Sequence, residues 1–444
     1  MAKITEVKKF VKSDAEANNN KVWQYTVYDD GTMEIEYGRI GNSLQSDGPE
    51  PFDQKKLDKK VKEKTQPWNG KKGGYVAIDV MAAPTGPSGP TGSSSHVKSA
   101  AVRDIAGADP VLATLVTRLA EANKHEIQIA SGGQMDIDLS TGIISTPVGV
   151  VSKSNVDQAR IILGTKLEPF IKKADFDNTD FKRALSDYLM LVPQRVGHRG
   201  WHSTFLPDVA AMTRQVSLLD QLDASIELVE QRLTAAQQAT ATATGKPVAA
   251  TRAFDVRLEL MADSDPDFVA ICKFYNDGKN DRHSSRHLKP KRGFRLTIPH
   301  MKAAWEADGA KLSNQWRLWH GSRIFNLLSI MKRGFVMPQQ LPTAVIAGAM
   351  FGSGLYFSDQ STKSLNYSYG YWQGSGGYDN NCFMFVVDVA MGKYHVPSGP
   401  RNALPPSGYD STFAKAKESG VLNNEMIVFS TSRVNITHLI EFEK

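Results

Sequence analysis

The sequence predicts a multidomain α+β protein: a small β-rich domain, an all-α helical domain, and a mixed α+β domain with a mostly antiparallel sheet. The chain has 444 residues, which is too long for one ordinary hydrophobic core. Two biased stretches interrupt it, one rich in Pro, Gly and Ser at 82–95 and one rich in Ala and Thr at 235–250, as in linkers. Hydrophobic periodicity also changes at each linker. We therefore predict domains at 1–80, 98–235 and 251–444, with linkers at 81–97 and 236–250.

The overall composition excludes several classes of protein. Hydrophobic residues make up 41% of the chain and charged residues 23%, as in soluble globular proteins. We expect neither a membrane span nor a signal peptide, because no long uncharged apolar run is present. The two cysteines, Cys272 and Cys382, are too few for a disulfide framework or a four-cysteine zinc site, which favours a reducing compartment. The net charge of +6 permits a polyanionic partner without requiring one.

The first domain contains a hairpin pattern. Apolar and polar residues alternate in Val22–Tyr28 and again in Met33–Tyr37, and the turn residues Asp29–Thr32 lie between them. Alternation of this kind predicts two strands, and the turn between them predicts their antiparallel pairing.

A lysine-rich segment follows at Lys55–Lys64, where Leu57 and Val61 have helical spacing. One interpretation is an amphipathic helix with a solvated lysine face. The other is a phosphate-binding surface, because aromatic residues (Trp68 and Tyr75) lie close by in the sequence, as in nucleic-acid-binding proteins.

The second domain has mainly helical periodicity. Its apolar residues recur three and four apart around Leu115–Leu119, through Phe181–Val192, and along Val209–Leu233, which predicts a bundle of helices. Glu126–Ile144 is different, because alternating residues there flank a Gly-Gly pair. That stretch fits a hairpin as well as it fits a helix.

The third domain alternates strands with short helices, and three of its apolar runs each carry one polar side chain. His320 lies in Leu318–Arg323, Tyr356 in Gly354–Ser358, and Glu425 in Asn423–Phe429. A buried polar group needs a partner, or it costs about 1–3 kcal/mol. Singly, each residue is best interpreted as structural, for example as a core histidine bonded to a carbonyl.

Their shared context favours a binding site instead. Glycines beside His320 and Tyr356 leave backbone groups open to a ligand, and Ser361–Tyr367 offers hydroxyls, an amine and an aromatic face. Such groups suit a flat amide-bearing ring, two riboses and a pyrophosphate. There is neither a strand–GxGxxG–helix fingerprint nor an HExxH motif, so hydride transfer and zinc hydrolysis are disfavoured.

The same runs resemble the catalytic domain of poly(ADP-ribose) polymerases, including its His-Tyr-Glu triad. The resemblance covers Leu318–Ser322, Met350–Asp359, Lys363–Tyr367 and Asn423–Phe429. The helical segment is similar to the regulatory domain of that family. The first domain resembles a WGR domain, with Tyr37-Gly38-Arg39 where that family has Trp-Gly-Arg. The chain is thus similar to the short WGR–helical–transferase architecture.

The resemblance implies the following roles for the third domain. NAD+ is consumed as a substrate, nicotinamide is released, and no metal takes part. The implied catalytic residues are His320, Tyr356, Glu425 and Lys363. The implied NAD+-binding residues are His320 for the adenosine ribose, Gly321 with Ser322 and Ser364 around the carboxamide, and Tyr356 and Tyr367 on the two sides of the nicotinamide ring. Glu425 bonds the nicotinamide ribose and polarises the acceptor hydroxyl.

The resemblance also implies partners and regulation. The first domain binds DNA strand breaks through Tyr37, Arg39, Lys62 and Lys64. The helical domain covers the NAD+ site until DNA binds, with Asp220 and Asp223 as regulatory residues. A nuclear location follows for a eukaryote, and a cytoplasmic or nucleoid one for a prokaryote.

Three functions stay open on sequence grounds. The first is a DNA-dependent enzyme that modifies proteins and itself with poly(ADP-ribose) in the DNA damage response. The second is a mono-ADP-ribosyltransferase. The third is a catalytically weak scaffold that binds DNA ends.

Overall fold

The fold is described from a computed structural model. The residues it describes are 2–66, 74–78, 80–81, 102–130, 135–138, 143–223, 226, 254–337, 350–370, 381–401 and 403–444. The chain forms two compact units. Unit 1 comprises Met1–Gly92 and Ile127–Val248, and unit 2 comprises Ser93–Glu126 and Ala249–Lys444. The predicted helical domain is thus divided between the units near residue 126, while the predicted domain boundaries stay predictions.

Unit 1 begins with an antiparallel sheet in the order β4-β3-β2-β1-β5. Its strands are β1 (Ile4–Asp14), β2 (Asn19–Tyr28), β3 (Thr32–Arg39), β4 (Gln45–Pro51) and β5 (Val76–Ala77). The predicted hairpin is confirmed, because β2 pairs with β3 and Trp23 lies opposite Tyr37. Trp23 and Tyr25, which share one face of β2, pack in a core with Phe10 and Met33. Val22 and Thr26 on the opposite face of β2 are also buried.

The lysine-rich segment is a helix, α1 (Gln54–Thr65), as its spacing predicts. Asp53 caps it by accepting a hydrogen bond from the Lys56 amide, which satisfies one free N–H group of the first turn. Leu57 is the buried residue of this helix and packs under the sheet. Polar residues therefore cover most of the remaining helix surface.

The rest of unit 1 is mainly helical. Its elements are β6 (Val80–Met81), the C-terminal end of α2 (Pro110–Ala130), β7 (Asp136–Asp138), β8 (Ile143–Ser145), β9 (Val150–Val151), α3 (Lys153–Ile161), α4 (Glu168–Ile171), α5 (Thr179–Leu191), α6 (Trp201–Phe205) and α7 (209–223). The ambiguous stretch contains both predicted structures, since α2 ends at Ala130 and a short β7–β8 hairpin follows.

Unit 2 contains two sheets, which confirms the mixed fold with mostly antiparallel pairing. Their orders are β10-β11-β18-β14-β12 and β13-β17-β16-β15, and within them β15 and β16 are parallel. The strands are β10 (Arg257–Leu260), β11 (Lys289–Thr297), β12 (Gln315–Gly321), β13 (Leu355–Phe357), β14 (Asn381–Ala390), β15 (Tyr394–His395), β16 (Ser411–Ala414), β17 (Glu425–Val428) and β18 (Val434–Glu443). The helices are α8 (Pro266–Asp277), α9 (Pro299–Ala307), α10 (Leu327–Arg333) and α11 (Ser361–Tyr369).

The larger sheet of unit 2 is covered on both faces. Successive residues of β14 alternate between two cores, with Phe385 and Val387 in one and Met384 and Val386 in the other. This double burial explains why residues 382–387 of the strand form an unbroken apolar run. Helix α11 packs on the second core through Leu365.

The N-terminal part of α2 packs against the first core of unit 2 through Leu115, Val116 and Leu119. Arg118 also forms an ion pair of 3.0 Å with Glu441, whose side chain is 2% exposed. In the part of the chain that the structure describes, no helix has both the length and the apolar composition to cross a membrane.

Candidate active site

The ends of β12 and β13 meet in unit 2. A short bridge joins them, in which the Trp319 amide donates to the Ser358 carbonyl at 2.9 Å and the Ser358 amide donates back at 3.2 Å. The next residue, His320, places Nδ1 3.1 Å from the Tyr356 carbonyl oxygen. Two polar residues that the sequence separates by 36 positions are thus brought together by strand pairing.

The His320 imidazole is neutral near pH 7. Its ring lies 4.5 Å from the Phe335 ring and 5.5 Å from the Phe357 ring, between centroids. Burial lowers the pKa of His320 to about 4, although the hydrogen bond to the Tyr356 carbonyl opposes this. Because a carbonyl only accepts, Nδ1 carries the proton and Nε2 is left as an acceptor. A hydroxyl group of a ligand is a suitable donor to Nε2.

Gly321 lies where β12 and α11 approach most closely. A Cβ atom built on Gly321 would be 1.8 Å from the Ser364 carbonyl oxygen, so any larger residue would push the helix away. The Ser364 hydroxyl donates to the Trp319 carbonyl at 3.1 Å. The predicted carboxamide-binding groups, the Gly321 backbone and the Ser364 side chain, therefore lie side by side. Nearby, the Ser322 hydroxyl accepts a hydrogen bond from the Asn326 side chain at 3.3 Å.

Tyr356 has a saturated hydroxyl group. It donates to the Gly352 carbonyl at 2.7 Å and accepts from the Phe351 amide at 2.9 Å. Burial raises the pKa of Tyr356. The hydroxyl is thus used to fix the glycine-containing loop, and the ring is the part of Tyr356 left to contact a ligand.

Tyr367 lies one helical turn after Lys363 and Ser364 on α11, so the three share a face. Its side chain is 37% exposed, the most accessible of this group. Burial, followed by the negative charge of Glu425, raises the pKa of Tyr367 to about 12. The carboxylate of Glu425 is therefore close enough to act on the Tyr367 ring electrostatically.

Lys363 and Glu425 form a partly buried ion pair. The Lys363 Nζ–Glu425 Oε1 distance is 2.6 Å, and the two side chains are 12% and 13% exposed. Nζ also donates to the Asn424 carbonyl at 3.2 Å. Burial lowers the pKa of Lys363, and the charge of Glu425 opposes that shift. The pair holds a carboxylate at the start of β17 in a partly desolvated site, where its charge acts strongly on a nearby ligand.

The structure also contains polar contacts that sequence reasoning missed. Asn424 bonds Asp359 through its side chain at 2.8 Å. His283 Nδ1 lies 2.9 Å from the Thr362 hydroxyl, and its Nε2 lies 3.4 Å from the Asn423 amide. The available signal was the cluster of side-chain amides directly before Glu425, which had no assigned role.

The predicted DNA-binding residues lie in unit 1. Tyr37 places its hydroxyl 3.4 Å from an Asp47 carboxylate oxygen. Lys62 and Lys64 lie in the last turn of α1, and the Lys64 ammonium is 5.8 Å from the centre of the Tyr75 ring.

Arg39 has intramolecular partners. Its guanidinium donates to the Asn18 carbonyl at 3.2 Å, to the Asn18 side chain at 3.3 Å, and to the Gly197 carbonyl. Arg39 therefore ties the sheet to the segment before α6. Whether it also contacts phosphates stays a prediction.

The predicted regulatory acids also have partners within unit 1. Arg160, whose side chain is 3% exposed, pairs with both Asp220 and Asp223. Lys153 lies 2.8 Å from Asp223, which is 7% exposed. In this structure the two carboxylates neutralise a buried guanidinium, and their regulatory role stays a prediction. Among the described residues, no group of three His, Cys, Asp or Glu side chains is placed to hold a metal ion.

Comparison with known proteins bears on unit 2. Residues 268–418 match the family described as the poly(ADP-ribose) polymerase catalytic domain. A poly [ADP-ribose] polymerase of Sarcophaga peregrina is 23% identical over 343 residues, which are 69% of this chain and 32% of the relative. Poly [ADP-ribose] polymerase 2 of Arabidopsis thaliana is 21% identical over 437 residues, which are 93% of this chain and 65% of the relative.

One similar human protein is named as a mono-ADP-ribosyltransferase and not as a polymerase. Protein mono-ADP-ribosyltransferase PARP4 is 30% identical over 143 residues, which are 30% of this chain and 8% of the relative. The chain spans about one third to two thirds of the length of the first two relatives. The similar proteins therefore include both polymerases and a mono-transferase by name.

Proposed function

Residues 268–418 belong to the catalytic-domain family of the poly(ADP-ribose) polymerases, and on that premise we propose that the protein transfers ADP-ribose from NAD+ to proteins, including itself. It releases nicotinamide and extends the product into poly(ADP-ribose), and DNA breaks stimulate it. The observation that carries the chemistry is the partly buried Lys363–Glu425 ion pair, with 2.6 Å between Nζ and Oε1. This pair lies beside Tyr367 and in the same unit as the neutral His320.

The proposed NAD+ contacts follow from the available donors and acceptors. His320 Nε2 accepts from a hydroxyl of the adenosine ribose. The Gly321 backbone and the Ser364 hydroxyl bond the carboxamide, and the rings of Tyr356 and Tyr367 contact the nicotinamide. Two aromatic rings and a pair of amide-binding groups match a flat amide-bearing ring in both shape and polarity.

The proposed reaction exchanges one bond at the sugar carbon C1′. The C1′–nitrogen bond to nicotinamide breaks with its electron pair on nicotinamide, and positive charge develops on the ribose. The carboxylate of Glu425, oriented by Lys363, stabilises that charge. The acceptor hydroxyl then bonds to C1′, and its proton passes to Glu425 or to solvent. A carboxylate held in a partly desolvated site suits both roles.

The choice among polymer formation, mono-transfer and a weak scaffold can be settled by one assay. The protein is incubated with radiolabelled NAD+, with and without 5′-phosphorylated nicked DNA, and separated on a gel. We expect a smear or ladder that strengthens with DNA. A discrete shift would indicate mono-transfer, and no label with intact DNA binding would indicate a scaffold.

DNA stimulation is supported by the lysine helix of unit 1. Helix α1 contributes Lys62 and Lys64 in its last turn, and Tyr75 adds an aromatic ring beside Lys64. Lysines on one surface neutralise phosphates and release counterions, so their contribution depends on salt concentration. The net charge of +6 is compatible with this partner.

Binding of labelled nicked DNA tests this surface. Lys62→Glu with Lys64→Glu should weaken binding at least about tenfold and reduce the salt dependence by roughly two phosphate contacts. Lys273→Glu with Lys302→Glu makes the same charge change at two exposed helix positions of unit 2 and should leave binding unchanged. Equal affinities for all three proteins would contradict a DNA site on α1.

We also propose that the helical segment with Asp220 and Asp223 limits access of NAD+ until DNA is bound. Hydrogen exchange with and without nicked DNA tests this coupling. Loss of protection within residues 102–223 on DNA binding is the expected result. Unchanged exchange throughout that segment, with DNA demonstrably bound, would contradict it.

A further inference from the structure

We infer that Asn424 is a positioning residue that fixes Glu425 for catalysis, and that it acts through Asp359. This inference rests on the proposed function of the site. Asn424 directly precedes Glu425, the first residue of β17, and lies outside the strand ladder that begins at Glu425. The position of the Glu425 carboxylate therefore depends on what holds the residue before it.

The side-chain amide of Asn424 uses both of its ends. Nδ2 donates to an Asp359 carboxylate oxygen at 2.8 Å, and Oδ1 accepts from the Ala416 amide at 2.9 Å. Asp359 lies between β13 and α11, while Ala416 follows β16. One planar group thus joins two loops that border the site.

The main-chain carbonyl of Asn424 is also held from two sides. It accepts from the Ser358 hydroxyl at 3.0 Å and from Lys363 Nζ at 3.2 Å. The same ammonium binds the Glu425 carboxylate at 2.6 Å. Lys363 therefore aligns the carboxylate relative to the Asn424 carbonyl, and a shift of Asn424 moves both groups.

The chemistry of this arrangement requires an amide at position 424. One end must donate, because Asp359 is an acceptor, and the other must accept, because the Ala416 amide is a donor. A carboxylate at position 424 would accept from Ala416 but would face Asp359 as a second negative charge, and two carboxylates at this distance do not both ionise freely. Exchanging the two residues restores both hydrogen bonds and leaves the net charge unchanged. The bond between positions 424 and 359 reverses its direction, while the Ala416 amide still donates to the side chain at position 424.

This exchange provides the experiment, performed on the full chain with nicotinamide release from NAD+ as the readout. Asn424→Asp should lower kcat by about 10–100-fold through misplacement of the carboxylate, with KM for NAD+ within about threefold. The double variant Asn424→Asp with Asp359→Asn should recover kcat to within about threefold of the unaltered protein. Asp359→Asn alone keeps an acceptor for Asn424 and should have a smaller effect than Asn424→Asp.

Two controls separate positioning from stability. Asn276→Asp makes the same chemical change at an exposed position of α8 and should leave kcat and KM unchanged. Thermal unfolding of each variant gives the folded fraction at the assay temperature. A purely structural role would lower the apparent kcat only in proportion to that fraction, whereas a positioning role lowers kcat after this correction. The double variant should also recover the unfolding midpoint that Asn424→Asp lowers.

The inference is overturned if Asn424→Asp retains full kcat, or if the double variant is no more active than Asn424→Asp. Absence of nicotinamide release by the unaltered protein, with and without nicked DNA, would instead refute the proposed function. In that case the recovery of the unfolding midpoint still decides whether Asn424 and Asp359 are coupled, and no recovery would refute the contact itself.

Discussion

At the scale of single residues, burial decides which chemical form each group takes. His320 is surrounded by aromatic rings and bonded to a carbonyl, so it is neutral and presents an acceptor. Lys363 and Glu425 are nearly as enclosed, yet they stay paired at 2.6 Å. A neutral acceptor and a carboxylate paired with a lysine in one unit suit the two kinds of ribose contact that we propose for NAD+.

The low pKa of His320 makes stability depend on pH. The folded protein has a pKa of about 4 at His320, compared with the ordinary value of 6.5. Between these values the unfolded chain binds the proton and the folded protein does not, so the free energy of unfolding decreases as pH falls. The loss from this residue is at most about 3 kcal/mol.

Urea unfolding at pH 7, 5.5 and 4.5 tests this prediction by comparison with His320→Gln, which has a neutral polar side chain throughout. The comparison is needed because burial also lowers the pKa values of His283 and His438. The variant should lose less stability on acidification than the unaltered protein. Identical pH slopes for the two proteins would show that His320 is not the neutral, buried group described here.

Glu425→Gln should separate binding from chemistry. The amide keeps an oxygen for Lys363 but has no negative charge, so nicotinamide release should fall by about 100-fold or more. Polymer elongation should be abolished. The dissociation constant for NAD+, measured by calorimetry, should stay within about threefold. Normal polymer from this variant would refute the role assigned to Glu425.

At the scale of secondary-structure elements, the site depends on the close approach of β12 and α11. Gly321→Ala places a methyl group 1.8 Å from the Ser364 carbonyl oxygen. Relief of that overlap should cost about 1–3 kcal/mol of stability and should raise KM for NAD+ by moving Ser364. Gly399→Ala is a matched control, because a Cβ there meets no atom within 4 Å. Kinetics and thermal unfolding of the two variants test the prediction, and equal behaviour would contradict it.

The spacing of apolar residues in the sequence correctly predicted the β2–β3 hairpin and helix α1. The β2–β3 hairpin and helix α1 follow their alternating and helical patterns because the large apolar side chains of each share one face and pack in a common core. In Glu126–Ile144 the two periodicities overlap, and the chain forms the end of a helix followed by a hairpin. Local pattern could not place the helix end at Ala130, because tertiary packing decides where a helix stops.

The sequence indicated the candidate site through polar residues that interrupt apolar runs, such as His320 and Glu425. The supporting contacts could not be predicted in this way, because they join residues far apart in the chain. Asn424 and Asp359 are separated by 65 positions, and no local feature of either residue indicates the other. Arg39 likewise has an intramolecular partner at Gly197, which a reading of its own motif does not reveal.

At the scale of the whole molecule, the chain crosses between its two units within a helix. The N-terminal part of α2 contributes Leu115 and Leu119 to the core of unit 2, whereas residues from Ile127 belong to unit 1. The buried Glu441 pairs with Arg118 from this helix and with Arg292 from β11 at 2.8 Å. The boundary between the two units in the sequence thus falls within α2.

The sequence and the structure suggest different partners for Arg39: DNA phosphates in the first case, and Asn18 and Gly197 in the second. A phosphate contact depends mainly on charge, whereas the observed contacts to Asn18 and Gly197 use the fork of the guanidinium. Arg39→Lys keeps the charge and loses the fork, so it distinguishes the two roles where Arg39→Ala does not.

If Arg39 acts through the several hydrogen bonds of its guanidinium, Arg39→Lys and Arg39→Ala should lower the unfolding midpoint equally. Both variants should then increase hydrogen exchange near residues 194–205. DNA affinity should then fall less than in the α1 variant with Lys62→Glu and Lys64→Glu, which should keep its unfolding midpoint. If the charge matters, Arg39→Lys should bind nicked DNA like the unaltered protein while Arg39→Ala binds more weakly. Since a phosphate contact would have to replace the hydrogen bonds that the guanidinium already donates to the Asn18 and Gly197 carbonyls, we expect the first result, with Arg39 linking the lysine-rich domain to the helical segment that follows it.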